Sequence, residues 1–183
     1  EFKHDEPVKL ILKTSREIVG VPIVPNQYPN IEVVYGKVPE QELADLCYRS
    51  DAFVFPSRGE GFGITPLEAM ATGLPAIIPN AHGISEYFNP KYMLGVDASE
   101  KCEAIYRRLT DVGYMRKSSV KDIRKQMRWC YENQAEARAL GVKASKYVQK
   151  WTYEKTALKL KKVIDDIKAK PIPERKVSDI LPL

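Results

Sequence analysis

The fold is decided by the stretch PSRGEGFGITPLEAMATGLPAIIP, which occupies residues 56–79. It follows a short apolar run at residues 52–55, and it leads into a helical pattern that begins at Pro66 and extends to residue 72. Gly59, Gly61 and Gly63 permit backbone conformations that side chains forbid, and they let a ligand come close to the main chain. The stretch therefore predicts a strand, a glycine-rich loop and a helix, in that order.

Apolar runs like the one at residues 52–55 recur at residues 8–12, 31–35 and 76–79. None of them alternates with polar residues, which is typical of strands that are covered on both faces. Helical patterns lie between them, at residues 40–49 and 66–72, with a short turn of helix at 85–88. Because strands alternate with helices, we predict an α/β fold, a Rossmann-like parallel sheet with helices on both faces.

Two further segments are assigned by their prolines and caps. Residues 14–30 contain three prolines and are predicted to form a long loop, with one helical turn near residues 15–19. Ser119 and Asp122 resemble an N-cap pair, and Ile123, Met127 and Cys130 then recur at helical spacing.

The last helix is predicted from residue 152 to about residue 168, with an apolar face and a lysine-rich face that is solvated by default. Pro171 and Pro173 end it. We predict one Rossmann-like domain over residues 1–170 and a C-terminal tail over residues 171–183.

Composition excludes several classes of protein. Hydrophobic residues make up 44% of the 183 residues and charged residues 29%, as in ordinary folded domains, and no apolar run approaches the roughly 18 residues of a membrane span. The net charge of +5 arises where lysines and arginines alternate with acids, which favours solvated helix faces over a nucleic-acid partner. Three scattered cysteines without zinc spacing indicate a reducing, cytoplasmic location. The chain begins at Glu1 rather than at methionine, so we expect an upstream segment.

The start of the predicted helix carries the chemistry. A helix N-terminus presents unpaired N–H groups and the positive end of its dipole, so an anion such as a nucleotide diphosphate should bind at Gly63, Ile64 and Thr65. Thr65 is the predicted N-cap. Thr65 and Glu68 also fit a capping box with no ligand, and Glu60 fits an exposed loop acid, so the spacing by itself leaves these readings open.

The same stretch resembles the signature of retaining GT-B glycosyltransferases of glycosyltransferase family 4, which includes enzymes related to glycogen and sucrose synthases. Their pattern is P-S-x-x-E-x-F-G-x-x-x-x-E-A-M-A-x-G-x-P. The matching residues are Pro56, Ser57, Glu60, Phe62, Gly63, Glu68, Ala69, Met70, Ala71, Gly73 and Pro75. Similarity extends to the flanks, from residue 8 to about residue 168, and it implies the C-terminal, donor-binding half of such an enzyme.

The resemblance implies a role for each matching residue. It makes Glu60 the catalytic residue beside the transferred sugar, and it makes Glu68 the acceptor of hydrogen bonds from the ribose hydroxyls of the donor. The other donor-binding residues that it implies are Gly36, Lys37, Val38, Arg58, Gly61, Phe62, Gly63, Ile64 and Thr65. Lys13, His82 and Gly83 are candidate neighbours of the phosphate or sugar.

The implied reaction transfers a hexose from a UDP-, GDP- or ADP-sugar with retention of the anomeric configuration. No Asp-x-Asp motif or histidine cluster is present, so we expect no metal and no cofactor. The family's acceptor-binding N-terminal domain and its upstream Arg and Lys are missing from this chain, which alone should bind donor and transfer nothing. The basic face of residues 152–168 could touch anionic headgroups, but membrane contact is not favoured.

Three alternatives differ in class. A non-catalytic nucleotide-sugar-binding or interaction module would keep the fold without turnover, although both Glu60 and Glu68 are intact. A glycosidase would use the two carboxylates but would have no need of an anion site at a helix N-terminus. A Rossmann dehydrogenase would need a G-x-G-x-x-G fingerprint after its first strand, and residues 12–15 contain no glycine.

Overall fold

The computed structural model describes residues 1–3, 5–14, 28–104 and 112–171. The chain divides into two compact units, Glu1–Tyr147 and Val148–Leu183. The loop and helical turn that we predict within residues 15–27, and nearly all of the predicted tail at 171–183, lie outside the described residues. The domain boundary at residue 170 therefore stays a prediction.

Five parallel strands form two sheets in the first unit. β1 (Leu10–Thr14) pairs with β2 (Ile31–Tyr35) from Leu10↔Ile31 to Thr14↔Tyr35. The second sheet has the order β3-β4-β5. Its strands are β3 (Phe53–Val54), β4 (Ala76–Pro79) and β5 (Leu94–Val96). The α/β class with parallel strands is confirmed.

Burial differs between the two sheets. Every residue of the central strand β4 is buried, as its unbroken apolar run predicts. β1 and β2 are only half-buried among the described residues, so their apolar runs overstate how far they are covered. The strand β5 has no counterpart among the sequence predictions, because three residues carry too little periodicity to be recognised.

The helices follow the predicted pattern closely. α1 (Glu40–Tyr48) lies between β2 and β3, and α2 (Ile64–Ala71) lies between β3 and β4. The short turn predicted at residues 85–88 is a 3₁₀ helix at His82–Glu86. Because β3 and β4 are parallel neighbours, the loops that follow them start at the same edge of the sheet.

An antiparallel hairpin that the sequence did not predict follows β5. Its strands are β6 (Glu100–Glu103) and β7 (Tyr114–Lys117), with Lys101 opposite Arg116 and Cys102 opposite Met115. Most of its side chains are exposed or half-buried. Such short, exposed strands leave little trace in hydrophobic patterning.

Two long helices pack against the second sheet. α3 (Val120–Glu132) is capped by the Ser119 hydroxyl, which accepts a hydrogen bond from the Asp122 N–H at 3.2 Å and so confirms the predicted N-cap pair. α4 (Gln134–Val148) follows directly. A buried cluster joins these helices to the second sheet, and Ile123 and Met127 pack against it as the helical spacing predicts. Its members are Ile77, Val96, Cys130 and Ala137.

The second unit contains a 3₁₀ helix at Gln149–Trp151 and α5 (Tyr153–Lys168). The Thr152 hydroxyl caps α5 by accepting a hydrogen bond from the Lys155 N–H at 3.3 Å. The predicted helix is therefore present within one residue of its expected bounds. No residue of α5 is buried, including those of its predicted apolar face. Within the described part of the chain, no helix has the length and apolar content to cross a membrane.

Candidate active site

Residues 56–63, termed the signature loop, connect β3 to α2 and hold Glu60 by a local hydrogen bond. The Ser57 hydroxyl donates to Oε1 of Glu60 at 2.8 Å. Glu60 is half-buried, whereas the neighbouring Arg58 is exposed. The bond engages one carboxylate oxygen and fixes the direction in which the carboxylate points.

The helix after the signature loop begins earlier than predicted. Gly63 is the N-cap of α2, and no side chain caps this helix, so the prediction of Thr65 as N-cap is wrong and the capping-box reading of Thr65 and Glu68 falls with it. The reason is the left-handed φ of +79° at Gly63, which turns the chain into the helix two residues sooner. Pro66 then falls within the first turn, where a missing N–H costs nothing.

This N-cap leaves main-chain N–H groups available as donors at the N-terminal end of α2. The first N–H groups of a helix have no partner inside it, and Ile64 and Thr65 are both exposed. Three of the predicted donor-binding residues, Gly63, Ile64 and Thr65, thus lie at an open helix N-terminus immediately after Glu60. The arrangement suits an anion, because N–H groups and the positive end of the dipole point the same way.

The 3₁₀ helix at His82–Glu86 packs directly on the signature loop. The Gly83 N–H donates to the Glu60 carbonyl at 3.2 Å. A Cβ at Gly83 would lie 2.0 Å from the Gly61 carbonyl oxygen, so only glycine permits this approach. His82, just before it, adopts φ +55°, a left-handed conformation that side-chain-bearing residues rarely take. The structure therefore brings the Gly83 main chain against that of Glu60, and the roles of His82 and Gly83 at the phosphate or sugar stay predictions.

A buried tyrosine that sequence reasoning missed supports the start of α2. The Tyr87 hydroxyl donates to the Gly63 carbonyl at 2.8 Å, and its ring meets Phe62 edge to face at 5.5 Å. Burial raises the pKa of Tyr87, and the charge of Glu60 adds to the effect, so the phenol keeps its proton at neutral pH. No local pattern marks Tyr87, because its partner lies 24 residues earlier.

The hairpin supports the signature loop from another direction. The Arg116 N–H in β7 donates to the Arg58 carbonyl at 3.0 Å. The Met115 side chain lies next to Gly59, close enough that a Cβ there would make ordinary contact at 3.8 Å. Arg58 is thus held through its main chain, while its exposed side chain extends to solvent. Apart from Gly113, which takes φ +104° before β7, nothing in the sequence signals this support.

The remaining predicted residues lie beside β1, β2 and α1. Lys13, at the end of β1, donates from Nζ to the Gly36 carbonyl, so Lys13 lies beside residues 36–38. Glu68 is exposed on α2 and is near enough to α1 that its charge contributes to a raised pKa of Cys47, which burial raises most.

No group of three or more His, Cys, Asp or Glu side chains that could hold a metal ion occurs in the described ranges. Cys47, Cys102 and Cys130 are free thiols, and burial raises the pKa of Cys130 to about 11. A thiol with so high a pKa carries little thiolate at neutral pH and is a poor nucleophile.

Comparisons with known proteins give a consistent result. The family described as glycosyl transferases group 1 matches residues 30–147. The chain is 58% identical over 40 residues to a lipopolysaccharide core biosynthesis mannosyltransferase of Rhizobium meliloti, covering 21% of this chain and 11% of that protein. It is 24% identical over 145 residues to an uncharacterized glycosyltransferase of Methanocaldococcus jannaschii, covering 79% of this chain and 36% of that protein.

Among solved structures, the sucrose-phosphate synthase from Thermosynechococcus elongatus matches with a TM-score of 0.60 at 22% identity, covering 76% of this chain and 31% of that chain. At this identity the likeness shows a shared fold. The matched region spans between 11% and 36% of the length of these three proteins. Because the family match covers more than half of the chain, and includes the signature loop and α2, the chain belongs to the group 1 glycosyltransferases.

Proposed function

We propose that this chain is the C-terminal, donor-binding domain of a retaining GT-B glycosyltransferase of family 4, which transfers a hexose from a nucleoside diphosphate sugar to an acceptor. The observation that carries the proposal is the open N-terminus of α2 directly after Glu60. A phosphate-bearing sugar places its anion and its reacting carbon next to each other, and the site offers an anion-binding helix terminus next to a carboxylate.

The diphosphate binds to the main-chain N–H groups of Ile64 and Thr65. Its charge is balanced by the helix dipole and by basic side chains, of which the exposed Arg58 is the nearest along the chain. In this arrangement the leaving diphosphate is stabilised without a divalent metal, and no other cofactor takes part. A second basic side chain, Lys13, lies beside residues 36–38 and is a further candidate partner of the diphosphate.

The nucleoside is held between α2 and the loop before α1. Glu68 accepts hydrogen bonds from both ribose hydroxyls, an interaction in which a charged acceptor makes each bond stronger than a neutral one would. Residues 36–38 lie beside the base.

Glu60 acts at the transferred sugar. As the bond from the anomeric carbon to the diphosphate breaks, positive charge develops at that carbon, and a carboxylate fixed nearby stabilises it. The Ser57 hydroxyl at 2.8 Å keeps Glu60 in position while this happens. The acceptor hydroxyl then forms the new bond on the face that the diphosphate leaves and gives its proton to the departing diphosphate, so the configuration is retained.

The donor is a UDP-, GDP- or ADP-hexose, and the acceptor is held by an N-terminal domain of the complete enzyme. The relative of Rhizobium meliloti is named a mannosyltransferase, which supports a hexose donor. The free thiols support a reducing, cytoplasmic location. Nucleic acid is not a partner in this proposal, and membrane contact is not favoured.

Calorimetry of the chain with UDP, GDP and ADP, in the presence of EDTA, tests the donor site. We expect one nucleotide to bind without metal, and its hexose conjugate to bind more tightly than the nucleotide alone. Failure of all three nucleotides, with and without added magnesium, would contradict the proposal for this chain.

Glu60→Gln tests the role at the sugar, with Glu136→Gln on the exposed surface of α4 as the matched control. Glu60→Gln should leave the affinity for the bare nucleotide unchanged and should reduce the additional affinity for the hexose conjugate. Equal loss of both affinities would place Glu60 at the nucleotide instead.

A further inference from the structure

A cleft that lies apart from the start of α2 opens at the carboxyl ends of β4 and β5. Its volume is about 400 Å³, within the roughly 300–1,000 Å³ of small-molecule sites. Polar residues from three segments surround it, and the buried Ala81 and Val96 contribute apolar surface. The polar residues are Asn80, His82, Asp97, Ser99 and Arg116. Ligands of parallel sheets bind at these strand ends.

Both walls of the cleft are bonded to the signature loop. On one side His82 precedes Gly83, whose N–H donates to the Glu60 carbonyl at 3.2 Å. On the other side the Arg116 N–H donates to the Arg58 carbonyl at 3.0 Å. A molecule in the cleft is therefore adjacent to the segment that carries Glu60. None of residues 63–65, which form the open helix terminus, lines the cleft, so its occupant is distinct from the diphosphate.

The charges of the cleft favour a neutral ligand. The Arg116 guanidinium donates one of its five N–H groups to the Ser99 carbonyl at 2.9 Å, and the Asp97 carboxylate accepts from the Ser99 hydroxyl at 2.8 Å. A cationic donor and an anionic acceptor thus line the same space. An anion would be attracted by Arg116 but repelled by Asp97, whereas a sugar hydroxyl can donate to one and accept from the other.

Two further features bear on how a sugar ring would bind. Ala81 and Val96 line the floor of the cleft but are only 8% and 4% exposed, so the polar residues would make most of the contact, through the hydroxyls of the sugar. His82 reaches the cleft from a left-handed backbone conformation, φ +55°. Strained conformations of this kind cluster at ligand sites.

We propose that this cleft is a second carbohydrate-binding site, in which Asp97 and Arg116 hold one neutral sugar ring of an acceptor whose other parts bind the N-terminal domain. The identity of that ring as acceptor rests on the proposed glycosyl transfer. The binding of a sugar in the cleft does not, because it follows from the cleft's own residues. A single sugar bound at such an open site should have a dissociation constant in the millimolar range.

Amide NMR titration of the chain tests the proposal, with methyl α-glucoside, methyl α-mannoside and inorganic phosphate as probes and UDP, GDP and ADP in parallel. We expect at least one glycoside to shift the amides of residues 80–83, 97–99 and 116 saturably. Arg116→Gln, which keeps the main-chain bond to Arg58, should weaken that glycoside about tenfold through loss of a charged hydrogen bond. Lys101 lies opposite Arg116 in the hairpin and does not line the cleft. Lys101→Gln therefore removes a positive charge outside the cleft and should leave the affinity for the glycoside unchanged.

The proposal is overturned if neither glycoside shifts these amides, if phosphate shifts them and the glycosides do not, or if Lys101→Gln weakens binding as much as Arg116→Gln. The donor site reports separately in the same spectra, because nucleotides should shift residues 63–65. A glycoside response without any nucleotide response would retain the second site and refute the donor assignment. The reverse would refute the second site alone.

Discussion

Replacing Gly83 by alanine would force the His82–Glu86 3₁₀ helix away from the signature loop. The new Cβ would lie 2.0 Å from the Gly61 carbonyl oxygen, and real Cβ atoms stay beyond 3.0 Å, so the segments must separate by at least 1.0 Å. The Gly83 N–H, now 3.2 Å from the Glu60 carbonyl, would then lose its hydrogen bond. The atoms that the new Cβ would meet all belong to the main chain, so no side chain can rotate aside to make room.

The expected cost combines two effects. Overpacking costs about 1–3 kcal/mol and a lost buried hydrogen bond about 0.5–1.5 kcal/mol, so we expect the free energy of unfolding to fall by about 3 kcal/mol. For a chain of this length that corresponds to a drop in Tm of roughly 6–12 °C. Scanning calorimetry measures the Tm. Gly59→Ala is the matched control in the same loop, because its Cβ would make only ordinary contact with Met115 at 3.8 Å.

If Gly83→Ala and Gly59→Ala have the same Tm, the packing of the 3₁₀ helix on the signature loop is not as described. If Gly83→Ala is destabilised but binds the donor nucleotide normally, this contact stabilises the fold without positioning the site.

Three further substitutions test the packing and its charges. Tyr87→Phe leaves the Gly63 carbonyl without the phenol donor and should lower the free energy of unfolding by about 1–2 kcal/mol in urea titrations; unchanged stability would refute that bond's contribution. Ile77→Ala, at a position only 1% exposed in the central strand, should cost about 2–5 kcal/mol, and a smaller loss would mean that the core collapses around the cavity. Arg128→Met removes the partner whose hydrogen bonds lower the pKa of Glu6 to about 2. Because that pKa lies below the usual 4.5, the ion pair stabilises the folded chain above pH 4.5, and this stabilisation is lost as the pH falls toward 2. The difference in urea midpoint between wild type and Arg128→Met should therefore shrink over that interval.

The sequence predicts those parts of the fold whose signals are local. The strand Ile31–Tyr35 and the strand Ala76–Pro79 are found at their predicted bounds, because runs that are mainly apolar mark them directly. The cap of α3 is also found, since the Ser119 hydroxyl accepts a hydrogen bond from the N–H three residues later. Each of these features depends on neighbours in the chain.

The features that the sequence did not predict depend on distant partners. Gly63 rather than Thr65 is the N-cap of α2, and the Tyr87 hydroxyl that donates to the Gly63 carbonyl lies 24 residues away. The hairpin is secured to the signature loop by a bond from Arg116 to Arg58, across a separation that no periodicity reveals. The motif thus identifies which residues form the candidate site, whereas the contacts that support it required the structure.

We propose that Glu68 binds the ribose diol of a nucleotide whose diphosphate lies at the start of α2. Calorimetry can test it as a cycle, with wild type and Glu68→Ala each titrated with the best-binding nucleoside diphosphate and with its 2′,3′-dideoxy analogue. We expect either change alone to weaken binding by about tenfold or more, as loss of a charged hydrogen bond does, and both together to weaken it little further. If the two losses simply add, or if Glu68→Ala binds both nucleotides as wild type does, Glu68 does not bind the ribose and the donor-site assignment is contradicted.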